Sequence, residues 1–426
     1  MRKIFLLISI VAMSVTGVRA ADPMATNYTW AECRGSLTPY PVEINPAVFP
    51  DSLVPVYINH VGRHGARFPA SSANCIKLAR YLAKADSLGT ITPAGRRLQR
   101  LNNLVMQRSE GQWGALDSVG MAEQRAIATR LFYNFGEVFS KAEGGCLVSA
   151  ISSYSPRVMM SMYSFLHQLD RMDNRIEFVT STGRSNSPLM RPFDTDDAYL
   201  QFRRDNVWKP AYDEYFAQAC PWAPARRLLG ERFTFGARDE EQDVALTAYY
   251  VVAGCAAMNV EADAGEFFTR EEYNALWSCF NLRQYLQRTA TTVSSVPAEV
   301  ACDLLLDIIS TTDAYIGGTN QAVANFRFGH AETLMPLLSL MRLKGCYYMT
   351  NYFDTVALHW RDFEVVPMAA NLQLILFRAK GSGNYYVRCD LNERPVPLQP
   401  NSPALYTPWA DARLYLTRCL PIDRQP

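Results

Sequence analysis

Short runs of apolar and β-branched residues alternate with longer amphipathic stretches over the first half of the chain. Residues 53–61 form such a run, and it closes on Gly62, which is typical of a buried strand that leads into a tight loop. Residues 146–152 and 176–180 repeat the strand pattern, and Thr92 followed by proline is typical of a helix start between them. This alternation predicts an α/β fold with a central, mostly parallel sheet flanked by helices.

The pattern between residues 205 and 316 is helical almost throughout and contains no convincing strand. It predicts a smaller, all-α domain inserted into the sheet domain. The sheet pattern then resumes with a strand at 324–328 and with two extended stretches, 373–378 and 385–389, that predict a terminal hairpin. The predicted divisions are a signal peptide at 1–20, a first part of the α/β domain at 21–204, the helical domain at 205–316 and a second part of the α/β domain at 317–426.

The first 20 residues have the layout of a secretory signal peptide. Arg2 and Lys3 precede an apolar run at residues 4–13, and the small residue Ala20 marks the expected cleavage point. We therefore expect an exported protein, with the periplasm, the cell surface and the medium all open as its destination. No later stretch has the roughly 20 uninterrupted apolar residues that span a bilayer, so no transmembrane segment is expected. The 42 basic and 41 acidic residues nearly balance, which argues against nucleic acid as a partner. We also expect the protein to be a monomer.

Ten cysteines are spread along the chain, and their number is even. Because an exported chain meets an oxidising compartment, we expect most of them to form disulfides, whose connectivity the sequence leaves open. No two cysteines have the C-x-x-C spacing of a zinc ribbon or a redox motif, so no metal site is expected.

Residues 62–69, Gly-Arg-His-Gly-Ala-Arg-Phe-Pro, carry the strongest chemical signal. They follow the first predicted strand, and ligands bind at that edge of open α/β sheets. Arg63 and Arg67 flank His64, and positive charges this close repel one another and lower the pKa of the imidazole. A phosphoryl group removes the conflict, because its oxygens match the planar donor fork of arginine. A neutral His64 then has a free ring nitrogen that can attack phosphorus.

This octapeptide resembles the signature of the histidine acid phosphatases, in which the histidine becomes phosphorylated and both arginines hold the phosphate. A second family element is present in His330-Ala331-Glu332, which follows the predicted strand at 324–328 and begins a helix, whose N-terminus attracts anions. Most acid phosphatases and fungal-type phytases of the family have His-Asp at this point. His-Ala-Glu instead resembles the branch of the multiple inositol polyphosphate phosphatases, and the resemblance spans nearly the whole chain.

The resemblance implies a role for each site residue. Glu332 is the expected general acid, His330 is expected to donate to a phosphate oxygen, and Arg157, which follows the second predicted strand, completes the phosphate clamp. No cofactor or metal is implied. The stretch that ends at Glu123 also resembles a helix of the family, and we interpret it as packing. For His60, within the first strand, we expect a hydrogen-bonded structural role.

A polyphosphorylated inositol needs further cations around the central clamp. The candidates are Lys77, Arg184, Arg191, Arg203 and Arg204. Ala66, inside the first motif, is expected to leave space near the phosphate. The predicted function is an exported phosphomonoesterase that hydrolyses inositol polyphosphates, including phytate, through a phosphohistidine intermediate. The alternatives are a general histidine acid phosphatase that acts on small organic phosphates and an inactive member that only binds phosphate.

Overall fold

The fold is given by a computed structural model that describes residues 28–140 and 145–425. The predicted signal peptide, residues 1–20, lies outside the described residues. The eight strands are β1 Leu53–Arg63, β2 Cys146–Ser152, β3 Ile176–Ser181, β4 Ala322–Gly329, β5 Asn371–Ala379, β6 Tyr385–Leu391, β7 Arg394–Val396 and β8 Thr407–Pro408. The α-helices are α1 Ala73–Ser87, α2 Pro93–Ser109, α3 Ser118–Phe135, α4 Pro156–Met172, α5 Ser187–Met190, α6 Asp197–Arg204, α7 Lys209–Ala219, α8 Ala223–Leu229, α9 Arg238–Gly254, α10 Arg270–Arg288, α11 Val296–Glu299, α12 Cys302–Ile316, α13 Ala331–Leu340, α14 Val356–His359, α15 Asp362–Val365 and α16 Trp409–Cys419.

All eight strands belong to one mixed sheet in the order β3-β2-β4-β1-β5-β6-β7, with β8 paired to β6. The strands β3, β2, β4 and β1 are parallel to one another, and β5 begins an antiparallel side that contains the predicted terminal hairpin. The predicted α/β class, with a central sheet flanked by helices, is confirmed. Because β1, β2 and β4 are parallel, their carboxyl ends meet at one edge of the sheet.

Alternate side chains of β1 face two different helical layers, as the period of a strand requires. On one face, His60 of β1 contacts Phe165 of α4, with ring centroids 5.3 Å apart. On the other face, the side-chain amide of Asn59 donates to the hydroxyl of Thr312 on α12 at 2.8 Å. The helix α12, at the end of the region predicted as a helical domain, therefore lies directly against the sheet.

The helical region and the sheet share one apolar core. A single cluster of buried residues includes Leu276 and Leu286 of α10, Leu334 of α13 and Val61 of β1. Ala245 and Tyr249 of α9 belong to the same cluster, so α9 and α10 pack into one core with the sheet. Among the described residues, no helix is long and apolar enough to cross a membrane.

The cysteines contradict the prediction of disulfides. All ten lie within the described residues and are free thiols, and nine of them are buried. Burial raises the pKa of the Cys75 thiol to about 11 and that of Cys346 to about 12, so both stay protonated at neutral pH. These side chains serve the core as small apolar groups, which is a common use of unpaired cysteine.

Candidate active site

The ends of two neighbouring strands bring the two sequence motifs together. Arg63, the last residue of β1, is in register with Gly329, the last residue of β4, and the His64 amide donates to the Gly329 carbonyl at 3.1 Å. His64 and His330, far apart in the sequence, thereby become neighbours whose ring centroids are 5.6 Å apart. The parallel pairing of β1 with β4 is thus what assembles the site.

The imidazole of His64 is buried and held in one tautomer. Its Nδ1 lies 2.9 Å from the carbonyl oxygen of Gly65. Because a carbonyl can only accept, Nδ1 carries the proton and Nε2 keeps its lone pair. Burial, followed by the charges of Arg63, Arg157 and Arg67, holds the pKa of His64 well below its usual range. The ring is therefore neutral and nucleophilic at Nε2.

Three guanidiniums, those of Arg63, Arg67 and Arg157, surround this ring. Two backbone carbonyls fix the position of the Arg63 side chain, because its Nη1 donates to Ser36 at 2.7 Å and to Val366 at 2.6 Å. Burial and the neighbouring guanidiniums lower the pKa of Arg67 to about 9, and burial lowers that of Arg63 to about 10. Within the described residues, the buried Nε atoms of all three arginines have no hydrogen-bond partner. Such a concentration of positive charge and unused donors suits a phosphate or a similar oxyanion.

The second motif lies at the start of α13, where His330 occupies the N-cap position. Its Nε2 is 3.0 Å from the hydroxyl of Ser153 and 2.7 Å from Nη1 of Arg191, and its Nδ1 is 3.3 Å from Nη2 of Arg157. Burial is the main cause that lowers the pKa of His330 to about 3; Glu332 opposes this shift, and the guanidiniums of Arg157 and Arg191 add to it. His330 is therefore neutral.

Glu332, in the first turn of α13, has a side chain that is 35% exposed. Burial by itself would raise its pKa, but the positive charge of Arg288, with smaller contributions from His330 and Arg63, outweighs that effect and lowers the pKa to about 2. The carboxylate therefore lies at the edge of the guanidinium cluster as an anion.

A cavity of about 310 Å³ opens over these groups. Arg63, His64, Arg67, Arg157 and Glu332 all line it, so the cavity contains chemical groups of both motifs. Its other walls come from the start of α1 and from helices α9 and α10, which contribute an aromatic and amide surface made of Asn74, Tyr250, Phe280 and Gln284. In the part of the chain that the structure describes, no cluster of three or more metal-ligating side chains occurs.

The five predicted specificity residues do not line this cavity. Lys77 forms an ion pair with Asp243, and Arg184 lies over the ring of Tyr154 at 4.2 Å. Arg203 and Arg204 donate to the side-chain oxygens of Gln287 and Gln201, at 2.9 and 2.7 Å respectively. Of the five, Arg191 contacts a residue of the site, because its Nη1 lies 2.7 Å from Nε2 of His330.

The loop of the first motif is held by Glu123, which is predicted to serve packing, and by its neighbour Gln124, for which the sequence predicts no role. Glu123 of α3 accepts hydrogen bonds from the backbone amides of Ala66 and Tyr40, each at 2.7 Å. Gln124 donates to the Arg63 carbonyl at 2.9 Å. Ala66 is fully buried and does not line the cavity, so the expectation that it leaves space near the phosphate is wrong.

The expected hydrogen-bonded role of His60 is also wrong. Its ring is buried among Phe165, Phe326 and Phe328, and neither ring nitrogen has a hydrogen-bond partner among the described residues. Burial, with a further contribution from Arg327, lowers the pKa of His60 to about 3, so the ring is neutral and packs as an aromatic group. It covers the face of Gly62, where a side chain would collide with it.

Comparisons with known proteins point to one family. The chain is 25% identical over 389 residues to multiple inositol polyphosphate phosphatase 1 of Homo sapiens, covering 83% of this chain and 77% of the human protein. The multiple inositol polyphosphate phosphatase of Bifidobacterium longum, solved in complex with inositol hexasulfate, has a TM-score of 0.77 and 19% identity over 92% of this chain and 98% of its own. The phytase of D. castellii has a TM-score of 0.70 and 15% identity over 96% of this chain and 90% of its own.

No protein-family model matches the chain. The similarity to the human enzyme nevertheless covers most of both chains, and the two solved structures share the fold over most of their length. The two motifs that carry the resemblance lie on the one cavity described above. The chain is therefore similar in sequence and in fold to the multiple inositol polyphosphate phosphatases, and in fold to a phytase.

Proposed function

We propose that the protein is an exported phosphomonoesterase that hydrolyses inositol polyphosphates, including phytate, through a phosphohistidine intermediate on His64. The observation that carries this proposal is the neutral imidazole of His64, whose Nδ1 donates to the Gly65 carbonyl, inside a cluster of three guanidiniums. A dianionic phosphate ester offsets the charge of that cluster and offers its phosphorus to Nε2.

The first step transfers the phosphoryl group to the enzyme. Nε2 of His64 forms a bond to phosphorus while the bond between phosphorus and the inositol oxygen breaks. Glu332, in its protonated form, gives a proton to that oxygen, which leaves as a hydroxyl; general acid catalysis of this kind contributes typically about 10²–10⁴-fold. The arginines bind the phosphoryl oxygens and stabilise the charge of the transition state.

The second step regenerates the enzyme. The Glu332 carboxylate takes a proton from a water molecule as its oxygen attacks phosphorus, and the bond between phosphorus and Nε2 breaks. Inorganic phosphate leaves, His64 is neutral again, and Glu332 holds the proton needed for the next cycle. The bound phosphate supports this protonation, because a second negative charge beside Glu332 raises the pKa of its carboxyl.

The substrate class rests on the relatives. The human relative is named an inositol polyphosphate phosphatase, and the Bifidobacterium longum enzyme was solved with inositol hexasulfate. Export rests on the pattern of the first 20 residues, with its basic start and apolar run.

Incubation of the purified protein with phytate and a chelator tests the function. We expect release of inorganic phosphate, and we expect His64→Ala to lower kcat by about 10³-fold or more, since the nucleophile is lost. His167→Ala is the matched control, because His167 lies exposed on α4 and should leave the rate unchanged. Acid-labile phosphate should be trapped on His64 of the wild type. A wild-type rate in the His64→Ala variant would rule out the phosphohistidine mechanism.

The choice of substrate separates the proposal from its two alternatives. A general acid phosphatase would turn over p-nitrophenyl phosphate with a higher kcat/KM than phytate. An inactive member would bind inorganic phosphate with no turnover of either ester. The proposed enzyme should show the higher kcat/KM with phytate.

A further inference from the structure

One cation that contacts the expected proton donor comes from the helical region. Arg288, in the last turn of α10, places Nη2 3.5 Å from Oε1 of Glu332. Gln284, one turn earlier on the same helix, lines the cavity, so this face of α10 borders the active site. The side chain of Arg288 is only 14% exposed, which reduces the screening of its charge by water.

The position of Arg288 is restrained by a tyrosine. Its Nη1 donates to the hydroxyl of Tyr199, which in turn donates to the backbone carbonyl of Gln287 at 3.0 Å. The guanidinium is therefore fixed between α6, which contains Tyr199, and the start of α13, which contains Glu332.

The other positive groups that face Glu332 belong to the phosphate clamp or lie beside it. They are Arg63 from the end of β1, Arg67 from the loop after it and Arg157 from α4, while His330 at the start of α13 is neutral near pH 7. When a phosphate dianion is bound between the three arginines, its charge offsets theirs. Arg288 does not line the cavity, so its charge continues to act on Glu332 during turnover.

We propose that Arg288 is a positioning residue that holds the Glu332 carboxyl at the edge of the cavity and sets the pH range in which it can act as a proton donor. This inference rests on the proposed function, in which Glu332 is the general acid. A positive charge at this distance stabilises the carboxylate and makes Glu332 a stronger acid and a weaker base. Burial favours the opposite, and Arg288 is the largest of the charges that outweigh it.

The test is the pH profile of kcat for phytate in three variants, because kcat reports the ionisation of Glu332 in the complex with bound substrate. In Arg288→Met, the alkaline limb should move to higher pH by about one unit or more, because the carboxyl keeps its proton to a higher pH. Arg288→Lys keeps the charge and should restore most of the wild-type profile. Tyr199→Phe, which removes the restraint on Arg288, should shift the limb in the same direction by less.

Arg413→Met is the matched control. Arg413 is paired with Asp313 at 2.7 Å on a different part of the molecule, so its loss removes an arginine and an ion pair without touching the site. Its pH profile should coincide with that of the wild type. An unchanged alkaline limb in Arg288→Met, or a change confined to KM, would overturn the proposal.

A second measurement does not depend on turnover. Carbon-13 labelling of the glutamates, with Glu332→Gln to assign the signal, gives the pKa of Glu332 directly by NMR. The pKa should be higher in Arg288→Met than in the wild type. If the protein hydrolyses no phosphate ester, the proposed function fails, while the NMR titration still decides whether Arg288 controls the carboxyl.

Discussion

One buried carboxylate, that of Glu123, stabilises the loop of the first motif, which contains His64 and is called the nucleophile loop below. Glu123 accepts from the amides of Ala66 and Tyr40 and so ties two backbone segments that are distant in the sequence to α3. Burial raises the pKa of Glu123 to about 7, although the two amides and Arg63 oppose that shift. This side chain thus couples the geometry of the site to the stability of the fold.

The raised pKa of Glu123 predicts a pH dependence of stability. The folded-state pKa lies above the unfolded value, so the contribution of this carboxyl is fully present below about pH 4.5 and is lost as pH rises through about 7. We therefore expect the free energy of unfolding of the wild type, measured relative to Glu123→Gln, to fall by about 3 kcal/mol from pH 4.5 to pH 8. Urea unfolding at several pH values measures this difference.

Glu110→Gln provides the control for that experiment, because Glu110 is exposed after the end of α2. Its unfolding free energy relative to the wild type should be nearly constant over the same pH range. If the difference in unfolding free energy between the wild type and Glu123→Gln were also constant over this pH range, the raised pKa of Glu123 would be contradicted.

The sequence could predict the site residues that lie together in one short motif. Arg63, His64 and Arg67 lie within one loop, and the structure places all three on the cavity with Glu332 and Arg157. The contributions of Glu123 and Arg288 were missed, because each depends on a contact with a residue distant in the sequence. The type of a charged residue can be read from the sequence, but the direction in which it points cannot, which is why Lys77 and Arg204 were taken for substrate ligands.

At the scale of elements, α3 is pressed against the nucleophile loop through a glycine. A Cβ on Gly120 would lie 2.6 Å from the backbone nitrogen of Ala66 and would overlap the carbonyl oxygen beside it. The close approach is what allows Glu123, one turn later on α3, to reach the same loop.

Gly120→Ala should therefore damage both stability and activity. We expect a loss of about 1–3 kcal/mol in the free energy of unfolding, as in other overpacked interiors, and a lower kcat, since the loop that contains His64 must move. Gly136→Ala, at the end of the same helix, is the control: its nearest neighbour would be 4.0 Å away, and it should change stability by less than about 1 kcal/mol. Chemical denaturation together with phytate assays measures both effects. Equal behaviour of the two variants would mean that α3 and the loop are not tightly packed.

Local signals placed the elements well, while their spatial order came from contacts that the sequence does not display. The side chain of Thr92 caps α2 with proline at the first turn, as expected from the residues alone. The pairing of β1 with β4, which assembles the site, joins strands separated by most of the chain. Hydrophobic periodicity records which face of an element is buried, but not its neighbour.

At the scale of the whole molecule, the number of free thiols can be measured directly. Ten free cysteines, nine of them buried, predict that the protein denatured without reductant reacts with about ten equivalents of a thiol reagent such as dithionitrobenzoate. The native protein should react slowly and with few equivalents, because nine of the ten thiols are buried and inaccessible to the reagent. Two equivalents or fewer in the denatured sample would restore the disulfide prediction. Composition could not decide this question, since an even cysteine count fits paired and unpaired thiols equally.

The common core beneath the catalytic cavity has a consequence for how a large substrate is processed. Because α10 is packed into the same apolar cluster as β1 and α13, opening the mouth by swinging the helices away would expose buried side chains to water. A ring that bears several esters must then reorient in the mouth, or leave and re-enter, before its next phosphate meets His64. Intermediates with fewer phosphates should accordingly accumulate in the medium during the reaction.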